Sequence, residues 1–412
     1  MTKDIGAPLV RPDGDISRRG LLKAAAALGG GLALPGLGWA QGAGEPFKIG
    51  WVRPTTGRLA SSFAPLYAGG VIAIDEINAA GGIMGRPIVR DEQDDEASPA
   101  KEPGIILKYQ GAGIHFVCGP TGSSQALASL SATTARKMIQ TTYGLAADMG
   151  NGRKYPYHYQ LIFNSDQQAV ACVSYLTDVL KLKKIGILQE STAYGEQITP
   201  VSKAELKKRG LDPVDVQVFP ITAPDLSGYV QALRKAGAEG ILMWMSTVPN
   251  AAMIFNAMNA MKWFPPITGH TSLFLESLLD LVPREALTNV YGTWYKSLTW
   301  TATESPAPRQ VEYAKKILAA PDAKGSEINA AGSPYYDFLH LLKMAIEQEK
   351  SFDVERVKAV LDSTKGYKGM LGTLSFTPEQ HCGIDVADLV MATVTSAREP
   401  KAMGIFRERA PG

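Results

Sequence analysis

Gly119-Pro120-Thr121-Gly122-Ser123-Ser124 is the segment of this 412-residue chain best equipped for chemistry. Glycines and hydroxyls lead straight into a helical pattern, and the unpaired amides at such a helix start favour an anion. A phosphate-binding loop would carry a lysine after the glycine, and its absence here argues against a nucleotide. A plainer role competes: Ser123 or Ser124 caps its helix, as serine readily does, and the two roles can coexist. No catalytic set stands out. The histidines at 115, 158, 270, 340 and 381 are far apart and lack metal-ligand spacing, and no G-x-S-x-G elbow occurs. The run Asp91-Glu92-Gln93-Asp94-Asp95-Glu96 offers adjacent carboxylates on what reads as an exposed loop, where solvation is the ordinary fate. Neither a metal nor a cofactor is expected. Arg53 directly follows an apolar strand. A guanidinium there can grip a carboxylate with two hydrogen bonds, or simply pair with the acidic run at the surface. Arg58 flanks the same loop.

Elements that could position these residues alternate along the chain. Phe47 to Asp95 reads as strand, turn, helix and strand, with Leu66, Gly70, Ala73, Ile74 and Ile77 along one helical face. Further strands are expected at Ile88–Arg90, Ile114–Cys118 and Met138–Thr141, with helices at Pro65–Ala79, Lys101–Gln110 and Ser124–Arg136. The pattern restarts after Tyr159, with strands at Lys184–Leu188, Val214–Phe219, Gly240–Met245 and Ile267–Gly269. Asn289–Tyr295 is expected to lead back toward the first unit. Strands alternating with helices predict parallel sheets covered on both faces, and the restart predicts two α/β units. Ligands bind such sheets beyond the carboxyl ends of the strands. That rule nominates the loops Arg53–Gly57, Gly119–Ser124 and Thr142–Gly144 in one unit, and Gln189–Gly195, Ser246–Pro249 and Gly269–Thr271 in the other. Candidate ligand-binding residues are therefore Arg53, Ser123, Ser124, Thr142, Tyr143, Gly144, Tyr194, Thr247, His270 and Thr271. Trp244 and Met245, at a strand end, offer an apolar wall.

A composition of 45% hydrophobic and 20% charged residues suits a folded protein of two cores, and a net charge of +2 gives no reason to expect nucleic acid as a partner. Ser17-Arg18-Arg19-Gly20-Leu21-Leu22-Lys23, followed by the apolar run Ala24 to Leu34 and Gly38-Trp39-Ala40, is similar to a twin-arginine export signal over residues 1–40. Cys118, Cys172 and Cys382 are an odd count, and they read as small buried hydrophobes.

Lys48-Ile49-Gly50, Thr56-Gly57, the helix end Asp75-Glu76-Ile77-Asn78-Ala79-Ala80-Gly81-Gly82-Ile83, and Gly85-Arg86-Pro87 before the acidic run together resemble the type I periplasmic binding proteins of the Leu/Ile/Val-binding family. That resemblance implies two Rossmann-like parallel-sheet lobes joined by a three-crossover hinge. The crossovers fall near Gln160, Tyr295 and Phe376, giving residues 45–160 plus 296–376 as one lobe and 161–295 plus 377–412 as the other. It also implies a monomeric periplasmic solute receptor that is not an enzyme and that delivers to an ABC transporter permease. A ligand-sensing regulator component and a secreted hydrolase are the alternatives. By the same resemblance, Ser123, Thr142 and Gly144 hold a ligand carboxylate and Tyr194 closes over it. The family's amino-acid receptors carry a glutamate for the ligand ammonium where this chain has Gly269-His270-Thr271. A buried ammonium without a countercharge is costly, so the expected ligand is a small organic acid, aromatic or amino-acid-like, held without a required ammonium.

Overall fold

The computed structural model describes residues 44–57 and 59–412. The export signal and Arg58 lie outside the described residues. Four strands, β1 (Phe47–Val52), β2 (Ile88–Gln93), β3 (Phe116–Thr121) and β4 (Ile139–Tyr143), form an all-parallel sheet in the spatial order β2-β1-β3-β4. Every residue of β1 except Lys48 is buried. That is the pattern of a strand covered on both faces, and it explains why the sequence shows an apolar run there instead of alternation.

The second sheet contains β5 (Ile185–Glu190), β6 (Asp215–Phe219), β7 (Gly240–Trp244), β8 (Ile267–Gly269) and β9 (Val290–Tyr295), in the parallel order β9-β8-β7-β5-β6. The strand Leu389–Thr393 adds antiparallel beside β9. Residues 290–295 thus belong to the second sheet, paired with β8, and the chain turns back toward the first lobe only after Tyr295. Helices Pro308–Ala319 and Tyr335–Glu349 then pack on helix Ala68–Ala79 of the first lobe. The chain passes between the lobes three times: between β4 and β5, after β9, and before Leu389. Both lobes share one order, second strand, first, third, fourth. Their crevices therefore lie where the order reverses, at the ends of β1 and β3 and of β5 and β7.

Several boundaries differ from expectation, each for a local reason. The helix expected over Pro65–Ala79 is instead a short turn at Ala60–Phe63, a 3-10 segment at Ala64–Tyr67 and the helix proper at Ala68–Ala79. Pro65 supplies no amide for a regular ladder, and the tighter turn accommodates it. This swings Tyr67 inward, where it stacks on Tyr335 with centroids 4.3 Å apart. The strands β3 and β4 run on to Thr121 and Tyr143, past the expected ends. The acidic run is not uniformly solvated either. Asp94 binds the Thr55 amide at 2.9 Å and the Thr56 hydroxyl at 2.6 Å, while Asp95 and Glu102 are fully buried. Burial, and then its neighbour Asp95, push the Glu102 carboxyl up to about 10. The three cysteines are free and buried. Among the described residues no helix is long and apolar enough to cross a membrane.

Candidate functional site

A cavity of about 380 Å³ opens at the carboxyl ends of both sheets. One wall comes from the first lobe. Gly119 lets β3 run against β1, since a Cβ there would lie 2.0 Å from the Val52 carbonyl oxygen. Gly122, at φ +98, occupies the cap position of helix Ser123–Ala135 with no side-chain cap. Neither serine caps the helix. The Ser123 hydroxyl oxygen instead accepts the Leu145 and Ala146 amides at 3.1 and 3.0 Å, which stitches the helix start to the loop after β4. The first intrahelical bond runs from the Ala126 amide to the Gly122 carbonyl, so the helix does not take up the amides before it.

Tyr143 and Gly144 line the same wall, but Thr142 does not. Because β4 continues through Tyr143, side chains alternate across it. Tyr143 faces the cavity, and Thr142 turns to the opposite side, bonding His158 Nε2 at 3.0 Å. Burial pushes the Tyr143 phenol up to about 12. Gly144 sits where a Cβ would come within 2.8 Å of Met149 Cε. Leu59, Phe63 and Leu66 complete an apolar corner.

The second lobe supplies the facing wall. Tyr194 lies at the start of helix Ala193–Lys208, donates to Gln168 Oε1 at 2.6 Å and meets the His270 ring edge-on at 4.8 Å. His270 Nδ1 accepts the Ser272 amide at 3.0 Å. Burial lowers its pKa to about 3, so the imidazole is neutral and carries its proton on Nε2, a donor. Ser124 bridges the walls, its hydroxyl oxygen accepting the Ala193 amide at 3.4 Å.

Four expected residues do not reach the cavity lining. Arg53 turns outward, its Nε 2.8 Å from Glu92 and its Nη1 3.4 Å from Asp322. Thr142 points away as described. Thr247 and Thr271 are fully buried in the shell behind, and their neighbours Ser246, His270 and Ser272 line the cavity instead. Trp244 and Met245 are core.

Sequence reasoning missed Glu190 and Asn329. Glu190 ends β5 and is 1% exposed; its carboxylate accepts the Ser246 amide at 2.8 Å, the Ser246 hydroxyl at 2.9 Å and the Thr192 hydroxyl at 2.8 Å. It lies in the loop Gln189–Gly195, but the family resemblance points to the region of residue 270 for a glutamate. Asn329 comes from the short helix Glu327–Ala331, far along the chain, and no spacing signal tied it to the site.

The two-lobed α/β fold with a solute-sized cavity at paired strand ends defines a class of binding protein. The periplasmic binding protein family model matches residues 46–398, and the chain belongs to that family. A Leu/Ile/Val-binding protein of Rhizobium johnstonii is 29% identical over 341 residues, 82% of this chain and 90% of that one. Among solved structures, the branched-chain amino acid transporter substrate-binding protein of Streptococcus pneumoniae, in complex with isoleucine, aligns with a TM-score of 0.73 at 21% identity, covering 84% of this chain and 96% of that one. An ABC transporter solute-binding protein of Rhodopseudomonas palustris, in complex with 3,4-dihydroxybenzoic acid, aligns with a TM-score of 0.70 at 18% identity, covering 84% and 93%. The structural likenesses establish the fold. The family establishes a solute-binding protein of periplasmic or extracellular location.

Proposed function

We propose that the protein is the receptor of an ABC importer, closing its two lobes over a small organic solute and presenting the closed form to the membrane permease. The observation that carries this reading is the cavity itself, whose walls come from different lobes at matching switch points. The three chain passages between the lobes serve as the hinge, and closing about them buries the solute. Ser123 and the amides of its helix start take a carboxylate, helped by the backbone at Gly144. Leu59, Phe63, Leu66 and Leu275 receive an apolar body. An organic acid or amino-acid-like compound fits this division. Both kinds of ligand occur among the relatives and neighbours. The receptor works as a monomer in the periplasm, exported by the twin-arginine signal of residues 1–40. A thermal-shift screen of amino acids, aromatic acids, dicarboxylates and amides tests the reading. One class should raise the melting midpoint, since a solute bound only by the folded state stabilises it by mass action. No shift from any member would argue against a solute receptor.

A further inference from the structure

Resting on the receptor reading, we infer that residues 399–412 form a brace that fixes the second-lobe wall of the cavity, with Arg407 as the residue that positions it. This segment lies beyond residue 398, where the family match stops. It is bound to the fold along its length. Arg407 and Glu408 pair in parallel with Thr299 and Trp300, the stretch that follows β9 on the second passage between the lobes. The Arg409 amide donates to the Trp300 carbonyl at 2.9 Å, and the Ala410 amide to the Met391 carbonyl at 2.9 Å. The segment therefore ties the second passage to the strand Leu389–Thr393, which follows the third. Ile405 and Phe406 anchor it in the core.

Arg407 is the innermost contact, a guanidinium that is 0% exposed. Its Nη2 donates to the Phe274 carbonyl at 2.7 Å and its Nη1 to the Phe406 carbonyl at 2.9 Å. Taking a cation out of water is expensive, and carbonyl acceptors replace only part of the lost hydration. Burial pushes the Arg407 pKa down to about 9, and the charge of Glu276 opposes that. An apolar side chain of similar length would fill the place with no charge to desolvate, so what distinguishes arginine here is the pair of carbonyls its fork joins.

The Phe274 carbonyl ends the turn Thr271–Phe274. A helical turn leaves its last carbonyls without partners, and an arginine supplies the donor. The turn stands between His270 and Leu275, and His270, Ser272 and Leu275 all line the cavity. Phe274 packs on Trp294 of β9 with ring centroids 5.1 Å apart, so the turn, β9 and the segment form one packed unit. The segment also reaches the first lobe. A Cβ on Gly404 would stand 3.3 Å from Leu318 Cδ2, on helix Pro308–Ala319, and 3.6 Å from Glu276 Oε1. A passage between the lobes, the cavity wall and a first-lobe helix thus meet on one short stretch. Solute affinity then depends on a residue that touches no solute, because a wall already in place need not be ordered when the lobes close.

Hydrogen exchange of the full chain without solute, read by mass spectrometry, tests the brace. Arg407→Met removes both donors at similar length. It should speed exchange in peptides spanning residues 271–278 by about tenfold or more, the opening that loss of a hydrogen bond to a charged group allows. The peptide holding Leu145 and Ala146, in the first-lobe wall, should not change. Calorimetric titration with L-leucine, L-phenylalanine, benzoate and 4-hydroxybenzoate should show each probe that binds the wild type weakened by about fivefold to tenfold. Arg407→Lys, which keeps the charge and one donor, should recover part of both effects. Faster exchange spread equally over both walls would make Arg407 a general support of the fold and would overturn the inference. So would wild-type exchange at 271–278 in Arg407→Met, or faster exchange with unchanged solute affinity. If neither variant folds, the wild type decides: as denaturant rises, the amides of 271–278 should open together with those of Arg409 and Ala410, and opening in separate steps would overturn the brace. Silence of all four probes toward the wild type would count against the receptor reading for these solute classes and leave exchange to decide the brace.

Discussion

Arg53 and Glu190 occupy equivalent places in the two lobes and meet opposite fates. Each stands at the end of the first strand of its sheet, beside the switch point where ligands gather. Arg53 has carboxylates next to it on the neighbouring strand and beyond, and it turns to them. Glu190 has, among the described residues, hydroxyls and an amide as its partners, and stays in the cavity wall. Whether a charged residue at a strand end turns away or stays in the cavity wall thus follows from the partners that folding sets beside it. Sequence position alone does not distinguish the two cases. The walls differ accordingly: the first lobe presents Ser123 and its helix start beside Phe63 and Tyr143, with Glu96 paired to Lys101, and the second presents Glu190, Tyr194 and His270.

The largest expected effect falls on the first wall. Ser123→Ala leaves the Leu145 and Ala146 amides without their acceptor, and with each buried orphan costing about 1–3 kcal/mol, chemical denaturation should record a loss of about 2–4 kcal/mol. A loss under about 0.5 kcal/mol would mean that water replaces the hydroxyl and that the wall is less dry than the contacts imply.

A second substitution sharpens the contrast between buried acids. Glu102 lies in the core beside Asp95 and is held protonated, with a carboxyl pushed from 4.5 up to about 10. The folded state binds this proton more tightly than the unfolded one, so its contribution is fully present below about pH 4.5 and is lost as pH rises toward 10. Glu102→Gln mimics the protonated acid and abolishes that loss. Its melting midpoint should exceed the wild type's by several degrees at pH 8, and the difference should vanish near pH 4. A variant less stable than the wild type at pH 8 would show that Glu102 is ionised and useful in the fold.

The smallest effect is expected at Arg53. Arg53→Ala breaks only half-exposed surface pairs, worth about 1 kcal/mol or less, and should leave solute affinity within about twofold. A tenfold weakening by calorimetry would mean that Arg53 abandons Glu92 for the solute, and the contrast with Glu190 would fail.

Much of the architecture was legible in the residues. Apolar runs such as Phe47–Val52 and Lys184–Leu188, bounded by turn signals and alternating with helical patterns, read as strands of a parallel sheet covered on both faces, with crossovers as the connection. Five of the six nominated loops converge on the cavity, because strand ends of a parallel sheet share one edge, whereas Arg53–Gly57 supplies no lining residue. Ser123, Ser124, Tyr143, Gly144, Tyr194 and His270 all line the cavity for that reason. What the sequence left open was decided by single-residue geometry and by distant partners. Whether Thr142 or Tyr143 faces the solute depends on β4 continuing two residues past its expected end, since each step along a strand reverses the side chain. Whether Arg53 or Glu190 stays in the cavity wall depends on Glu92, Asp322, Thr192 and Ser246, and Asp322 lies 269 residues from Arg53. Asn329 reaches the cavity only because the chain re-enters the first lobe after β9. Local patterns record the elements a chain will form; the neutralisation of a charge belongs to whichever groups folding brings beside it.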